Sequence, residues 1–119
     1  MVEDDLTIAE TLSLIFGHHG YEVRMVLSAE RAMDLIDQWI PGFALIDVCL
    51  PEMNGIDFAI RLRAVCPECR ILLFSGRPES GELLAVAASQ GHHFEIIAKP
   101  VYPEVLLDRI AELLAAPRT

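Results

Sequence analysis

The sequence predicts a single α/β domain built on a parallel sheet, and three observations carry that expectation. Strand-like and helix-like stretches alternate from one end of the chain to the other, as strand–helix–strand crossovers require. Two strand-like stretches, Phe43 to Ile46 and Ile71 to Phe74, are short unbroken apolar runs, the pattern of strands covered on both faces. The strand-like runs also stop at polar, chemically useful residues rather than fading into loops. The 119 residues amount to one domain, residues 1–119, and a fold of this size buries roughly two-thirds of the surface its unfolded chain exposes.

The elements follow in order. Met1-Val2 is a strand stub. A first helix from about Asp5 to His18 places Ile8, Leu12, Ile15 and Phe16 at helical spacing, with Gly20 to end it. Tyr21 to Val26 reads as a strand. Ser28 is an N-cap for a second helix through about Gln38, with Ala32, Leu35, Ile36 and Trp39 inward, and Pro41-Gly42 breaks it. After the run ending at Asp47 comes a loop holding Pro51 and Gly55. A third helix then uses Ile56, Phe58, Ala59 and Leu62 and ends before Pro67. Beyond Ser75, Gly76 and Pro78 open a loop into an alanine-rich helix from about Gly81 to Gln90, whose thin apolar stripe of Leu84, Ala87 and Ala88 predicts a weakly held element. Phe94 to Ala98 is the last strand. The final helix carries Pro103 early, where a missing N–H costs nothing, and turns Leu106, Ile110, Leu113 and Leu114 inward.

Composition narrows the function classes. The formal net charge of -9, with no dense Lys/Arg cluster, repels phosphate backbones and argues against direct nucleic-acid binding. Apolar runs fall far short of the ~20 residues that cross a bilayer, and Glu3, Asp4 and Asp5 replace the basic-then-apolar start of a secretory signal. No membrane association and a cytoplasmic location are expected. Cys49, Cys66 and Cys69 are too few for a disulfide framework. The Cys66-Pro67-Glu68-Cys69 spacing suits zinc or thiol exchange, but no second Cys or His pair stands at finger-like spacing, so a surface loop is the expectation. His18-His19 and His92-His93 flank predicted loops beside glycines and read as solvated.

Four strand-like runs end in Glu3 and Asp4, in Asp47, in Ser75 and in Lys99. Ligands of open α/β sheets bind outside the carboxyl ends of the strands, so these side chains converge on one rim. Each has a bland reading alone: a solvated helix start, a cap, a turn former, an exposed strand end. Together they make a pocket of three carboxylates, a hydroxyl and an ammonium. Crowded carboxylates bind a small oxygen-seeking cation such as Mg2+. A carboxylate attacks phosphorus to give an aspartyl phosphate, and phosphoryl transfer otherwise needs positioning and charge neutralisation.

At these residues the chain resembles the receiver domain of two-component response regulators. The matching stretches are Val2-Glu3-Asp4-Asp5, Asp47-Val48-Cys49-Leu50-Pro51-Glu52-Met53-Asn54-Gly55, Ile71-Leu72-Leu73-Phe74-Ser75-Gly76 and Lys99-Pro100. The resemblance implies a flavodoxin-like, doubly wound sheet of five parallel strands in the order 2-1-3-4-5 with five helices. It implies Asp47 as phosphoacceptor, Asp4 as a direct Mg2+ ligand, Glu3 as a ligand directly or through water, and the backbone carbonyl of Cys49 as the third protein ligand. Ser75 would be the switch hydroxyl and Lys99 the phosphoryl-pairing amine, joined to Pro100 by a cis peptide. Implied partners are a histidine kinase or histidine phosphotransfer protein and a downstream protein target reached through the last two helices and last strand. The domain would be a phosphoacceptor rather than an enzyme, catalysing at most its own phosphorylation and dephosphorylation.

Three departures from the family pattern stand out. Only Met1 and Val2 precede the acidic pair, which predicts a shortened first strand, compensated by strand exchange in a homodimer or explained by a start placed too late. Ile96 occupies the place of the switch aromatic, three residues before the lysine, with Phe94 two residues earlier. Arg77, two residues beyond Ser75, stands where the family tunes phosphoryl lifetime and is expected to pair or shield the phosphoryl group. The sequence predicts a stand-alone receiver whose last helix finishes near Ala116. The alternatives are a phosphorylation-independent adaptor and a haloacid-dehalogenase-type phosphatase, the latter disfavoured because Cys49 stands where a second aspartate is needed.

Overall fold

The computed structural model describes residues 1–76, 80–100 and 102–115. Among them the order is α1 (Leu6–His18), α2 (Ala29–Ile36), β1 (Phe43–Asp47), α3 (Gly55–Val65), β2 (Arg70–Ser75), α4 (Ser80–Ser89), β3 (Glu95–Ala98) and α5 (Pro103–Ala115). Side-chain caps start three helices: Asp5 accepts the Ile8 N–H, Ser28 the Arg31 N–H and Asn54 the Asp57 N–H. Cys66 ends α3 one residue before Pro67.

The three strands pair in parallel in the order β1-β2-β3, with Asp47 opposite Phe74 and Ser75 opposite Ala98. Helices cover both faces, which explains the unbroken apolar runs. Along β1 and β2, Ala44, Ile46, Ile71 and Leu73 point to a core shared with α2, α3 and α4. Their neighbours Leu45, Leu72 and Phe74 point the other way, to Leu12 and Phe16 of α1 and Leu106 and Ile110 of α5. Both sets are buried because a strand's side chains alternate between two covered faces.

Among the described residues, three of the five expected strands form. Val2 makes isolated parallel bridges to Ile46, through Val2 N–H to Leu45 O at 2.8 Å and Asp47 N–H to Val2 O at 2.9 Å, and to Val26, through Val26 N–H to Met1 O at 2.9 Å and Glu3 N–H to Val26 O at 3.1 Å. Tyr21 to Val26 forms no ladder, since a ladder needs several successive partners: it is joined at Val26 by the bridge and at Arg24, whose carbonyl accepts from the Met1 ammonium at 2.8 Å. The last strand starts at Glu95 rather than Phe94. Leu114, expected inward, is 43% exposed, and Leu35, Trp39, Ile8 and Ile15 are half-buried rather than core. The thin stripe of α4 buries Ala87 and half-buries Leu84 and Ala88, and Leu83 and Val86 outside it are exposed. Arg109 of α5 ties the edge strand down by pairing with Glu95, and it also reaches Glu112 at 2.8 Å. Among the described residues no helix is long and apolar enough to cross a membrane.

Candidate functional site

The parallel register brings the strand ends to one rim. Asp47, the last residue of β1, is 4% exposed; Ser75, the last of β2, is 5% exposed; Glu3, just past the Val2 bridges, is 0% exposed. The Lys99 N–H donates to Ser75 O at 2.8 Å, carrying the lysine past the end of β3 onto the same rim. Its ammonium then donates to Glu3 Oε1 at 2.9 Å and to Asp47 Oδ2 at 3.0 Å, and stands 4.6 Å from the Phe74 ring centre. The other Asp47 oxygen, Oδ1, accepts the Cys49 N–H at 3.0 Å. Lys99-Pro100 is a cis peptide.

Glu3, Asp4 and Asp47 each offer a carboxylate oxygen within 4.8 Å of the others. Three carboxylates thus face one ammonium, a formal shortfall of two positive charges. Burial first, and the neighbouring Asp47 second, push the Glu3 carboxyl up to about 8, against the pull of Lys99. Burial works against the Lys99 charge, but its hydrogen bonds to Glu3 and Asp47 outweigh it and hold the ammonium above its ordinary range. Glu3 Oε2 is buried and accepts no hydrogen bond. An orphaned carboxylate oxygen beside two more acids is the donor set of a hard divalent cation, so the residues present fit one.

Gly55 shapes the loop that returns beneath Asp47. A Cβ at this position would lie 2.0 Å from the Asp47 carbonyl oxygen and 2.8 Å from its carbon, so the chain passes here only as glycine. The Gly55 N–H donates to Val48 O at 2.8 Å, closing the loop. That contact gives the Asp-x-x-x-Pro-x-x-x-Gly spacing its physical reason, which the linear pattern did not disclose.

The expected site residues are distributed as follows. Glu3, Asp4, Asp47 and Lys99 meet, and Cys49 joins them through its backbone N–H. Its sulfur lies 3.8 Å from Ser75 Oγ, so the side chain borders the pocket. Phe94 packs under the Arg63 guanidinium at 4.2 Å, and Arg63 also donates to His93 O at 2.9 Å, which fixes this aromatic on the α3 side. Ile96 is half-buried against the α2–α3–α4 core. Arg77, Pro78 and Ala116 lie outside the described residues. Cys69 is buried, and burial together with nearby Cys66 pushes its thiol up to about 12, unlike a thiolate ligand. Among the described residues, neither the cysteines nor the histidines join a group with metal-binding geometry.

A family model described as response regulator receiver domain matches residues 1–111. The chain is similar to the response regulator MprA of Mycolicibacterium vanbaalenii, 29% identical over 114 residues that cover 96% of this chain and 48% of that protein. It therefore spans about half the length of the curated relatives it matches. Among solved structures it resembles a CheY-like receiver domain protein from Methanospirillum hungatei, at a TM-score of 0.85 and 27% identity over 95% of this chain and 89% of that one. It also resembles the BeF3-activated N-terminal receiver domain of RstA from Klebsiella pneumoniae, at 0.81 and 26% over 97% and 96%.

Proposed function

The chain belongs to the response regulator receiver domain family, and from that premise we propose that it is a phosphoacceptor: Asp47 takes a phosphoryl group from a histidine kinase or histidine phosphotransfer protein. In this reading an Asp47 carboxylate oxygen forms the new P–O bond as the P–N bond to the donor histidine breaks, and the imidazole leaves with a proton from solvent. The observation that carries it is the Lys99 ammonium held between two buried carboxylates at the carboxyl ends of the strands.

Lys99 neutralises the approach of an anionic phosphoryl group to Asp47 and then pairs with one of its oxygens. Ser75 supplies a hydroxyl to a second. The Cys49 N–H fixes the rotation of the Asp47 carboxylate. Glu3, Asp4, Asp47 and the Cys49 carbonyl would hold Mg2+, which supplies charge neutralisation at the phosphoryl oxygens when bound. No other catalysis is assigned beyond the domain's own phosphorylation and dephosphorylation. The two Val2 bridges read as the contracted outer part of a five-stranded 2-1-3-4-5 sheet. The output surface is the face of α4, β3 and α5, where Leu83, Val86, Tyr102 and Val105 are exposed for a downstream protein target.

Incubation with Mg2+ and a small phosphodonor, followed by mass spectrometry, tests the reading: one phosphoryl group on the wild type, none on Asp47→Asn, and a beryllofluoride adduct in its place. Sustained release of phosphate with no loading would indicate a phosphatase. The pinning of Phe94 beneath Arg63 favours a second reading, a phosphorylation-independent adaptor, which predicts an unmodified Asp47.

A further inference from the structure

The loop from β1 to α3 is tied at its near end by Cys49 N–H to Asp47 Oδ1 and Leu50 N–H to Val48 O, and closed where α3 begins by Gly55 N–H to Val48 O. The limb between, from Pro51 to Met53, is differently placed. Pro51 has no N–H to give, and both Pro51 and Glu52 are exposed. Glu52 adopts φ 63, a left-handed conformation that costs a residue with a side chain about 1 kcal/mol or more. Such a limb needs an external hold, and one crosses to it from α2: Glu30 Oε2 accepts the Met53 N–H at 3.3 Å, 23 residues away in sequence. Glu30 is half-buried, and the start of α2 is already capped by Ser28.

We propose that Glu30 is a positioning residue for the phosphoacceptor site, anchoring the outer limb of the 48–54 loop so that the Cys49 peptide stays beside Asp47. The inference deepens the functional reading above and rests on it. Residues that hold metal-site groups in place matter nearly as much as the ligands.

The competing role is generic: an acid in a helix's first turn favours the helix dipole. Two variants separate these roles. Glu30→Asp keeps the charge in that turn but is one methylene too short to reach Met53. Glu30→Gln loses the charge but keeps the reach and an acceptor oxygen. Positioning predicts that Glu30→Asp weakens Mg2+ affinity about tenfold by calorimetry and speeds exchange of the Met53 amide in metal-free protein. Glu30→Gln should stay close to wild type in both, with melting temperatures recorded for each. If Glu30→Asp matches wild type in Mg2+ affinity and amide exchange, the proposal is overturned and the dipole role stands. A wild type that binds no Mg2+ overturns the functional reading, and this inference with it.

Discussion

Gly55 lies against Asp47 so closely that a single added carbon would sit 2.0 Å from the aspartate's carbonyl oxygen. The clash is with backbone on a buried strand, which has no room to retreat. Gly55→Ala should therefore destabilise the fold by about 3 kcal/mol, at the upper end of overpacking costs, and reduce loading of Asp47. Urea unfolding with a phosphodonor assay on the folded fraction checks both. Unchanged stability would show that the loop can re-form elsewhere.

Lys99 holds two buried acids. Replacing it with methionine strips both of their cation, and breaking a buried pair from one side costs about 3–5 kcal/mol. Because the lysine remains partly exposed, about 2 kcal/mol is the expected loss without metal. Mg2+ should recover much of this. Phosphodonor-driven loading should fall by about 100-fold or more, as when one donor to a developing anion is removed, and the split between restored stability and unrestored rate identifies the lysine's chemical part.

The raised carboxyl of Glu3 predicts a pH dependence of the chelator-treated protein. A folded-state value of about 8, against an ordinary 4.5, means that the native state holds a proton which the unfolded state has released. That contribution is complete below about 4.5 and is lost as pH rises toward 8. Melting temperature should fall over this interval in wild type relative to Glu3→Gln, and Mg2+ should flatten the difference. A constant gap between the two proteins across the interval would contradict it.

Cys69 should resist modification. With its thiol pushed up to about 12, only about one molecule in ten thousand carries the thiolate at pH 8. Iodoacetamide mapped by mass spectrometry should label half-exposed Cys66 in the native protein well before Cys69, and both equally in denaturant. Rapid native labelling of Cys69 would mean that the turn before β2 opens.

The parts of the fold legible from sequence were those with two independent signals. α2 had both a capping side chain, Ser28, and a helical stripe; the stripe of α1 placed its start to within a residue, and that of α3 marked the helix and its end before Pro67. β1 and β2 were apolar on both faces and ended at polar residues. The acidic cluster and Lys99 followed from strand ends alone, because a parallel sheet delivers them to one rim. Tyr21 to Val26 misled because strand propensity is local while a ladder depends on the neighbour's length. Leu114 misled because a helical stripe says nothing about where the covering layer stops. Glu30 was invisible: one more acid in a helix's first turn carries no mark of the loop it reaches.

The ammonium that closes the pocket comes from a residue 96 positions after one carboxylate and 52 after the other. A ribosome-bound chain lacking its final strand therefore holds Glu3 and Asp47 without their counter-ion. Within the domain the pocket is completed only once the residues just beyond β3 have been made, so the paired ammonium doubles as a certificate that β3 has joined the sheet.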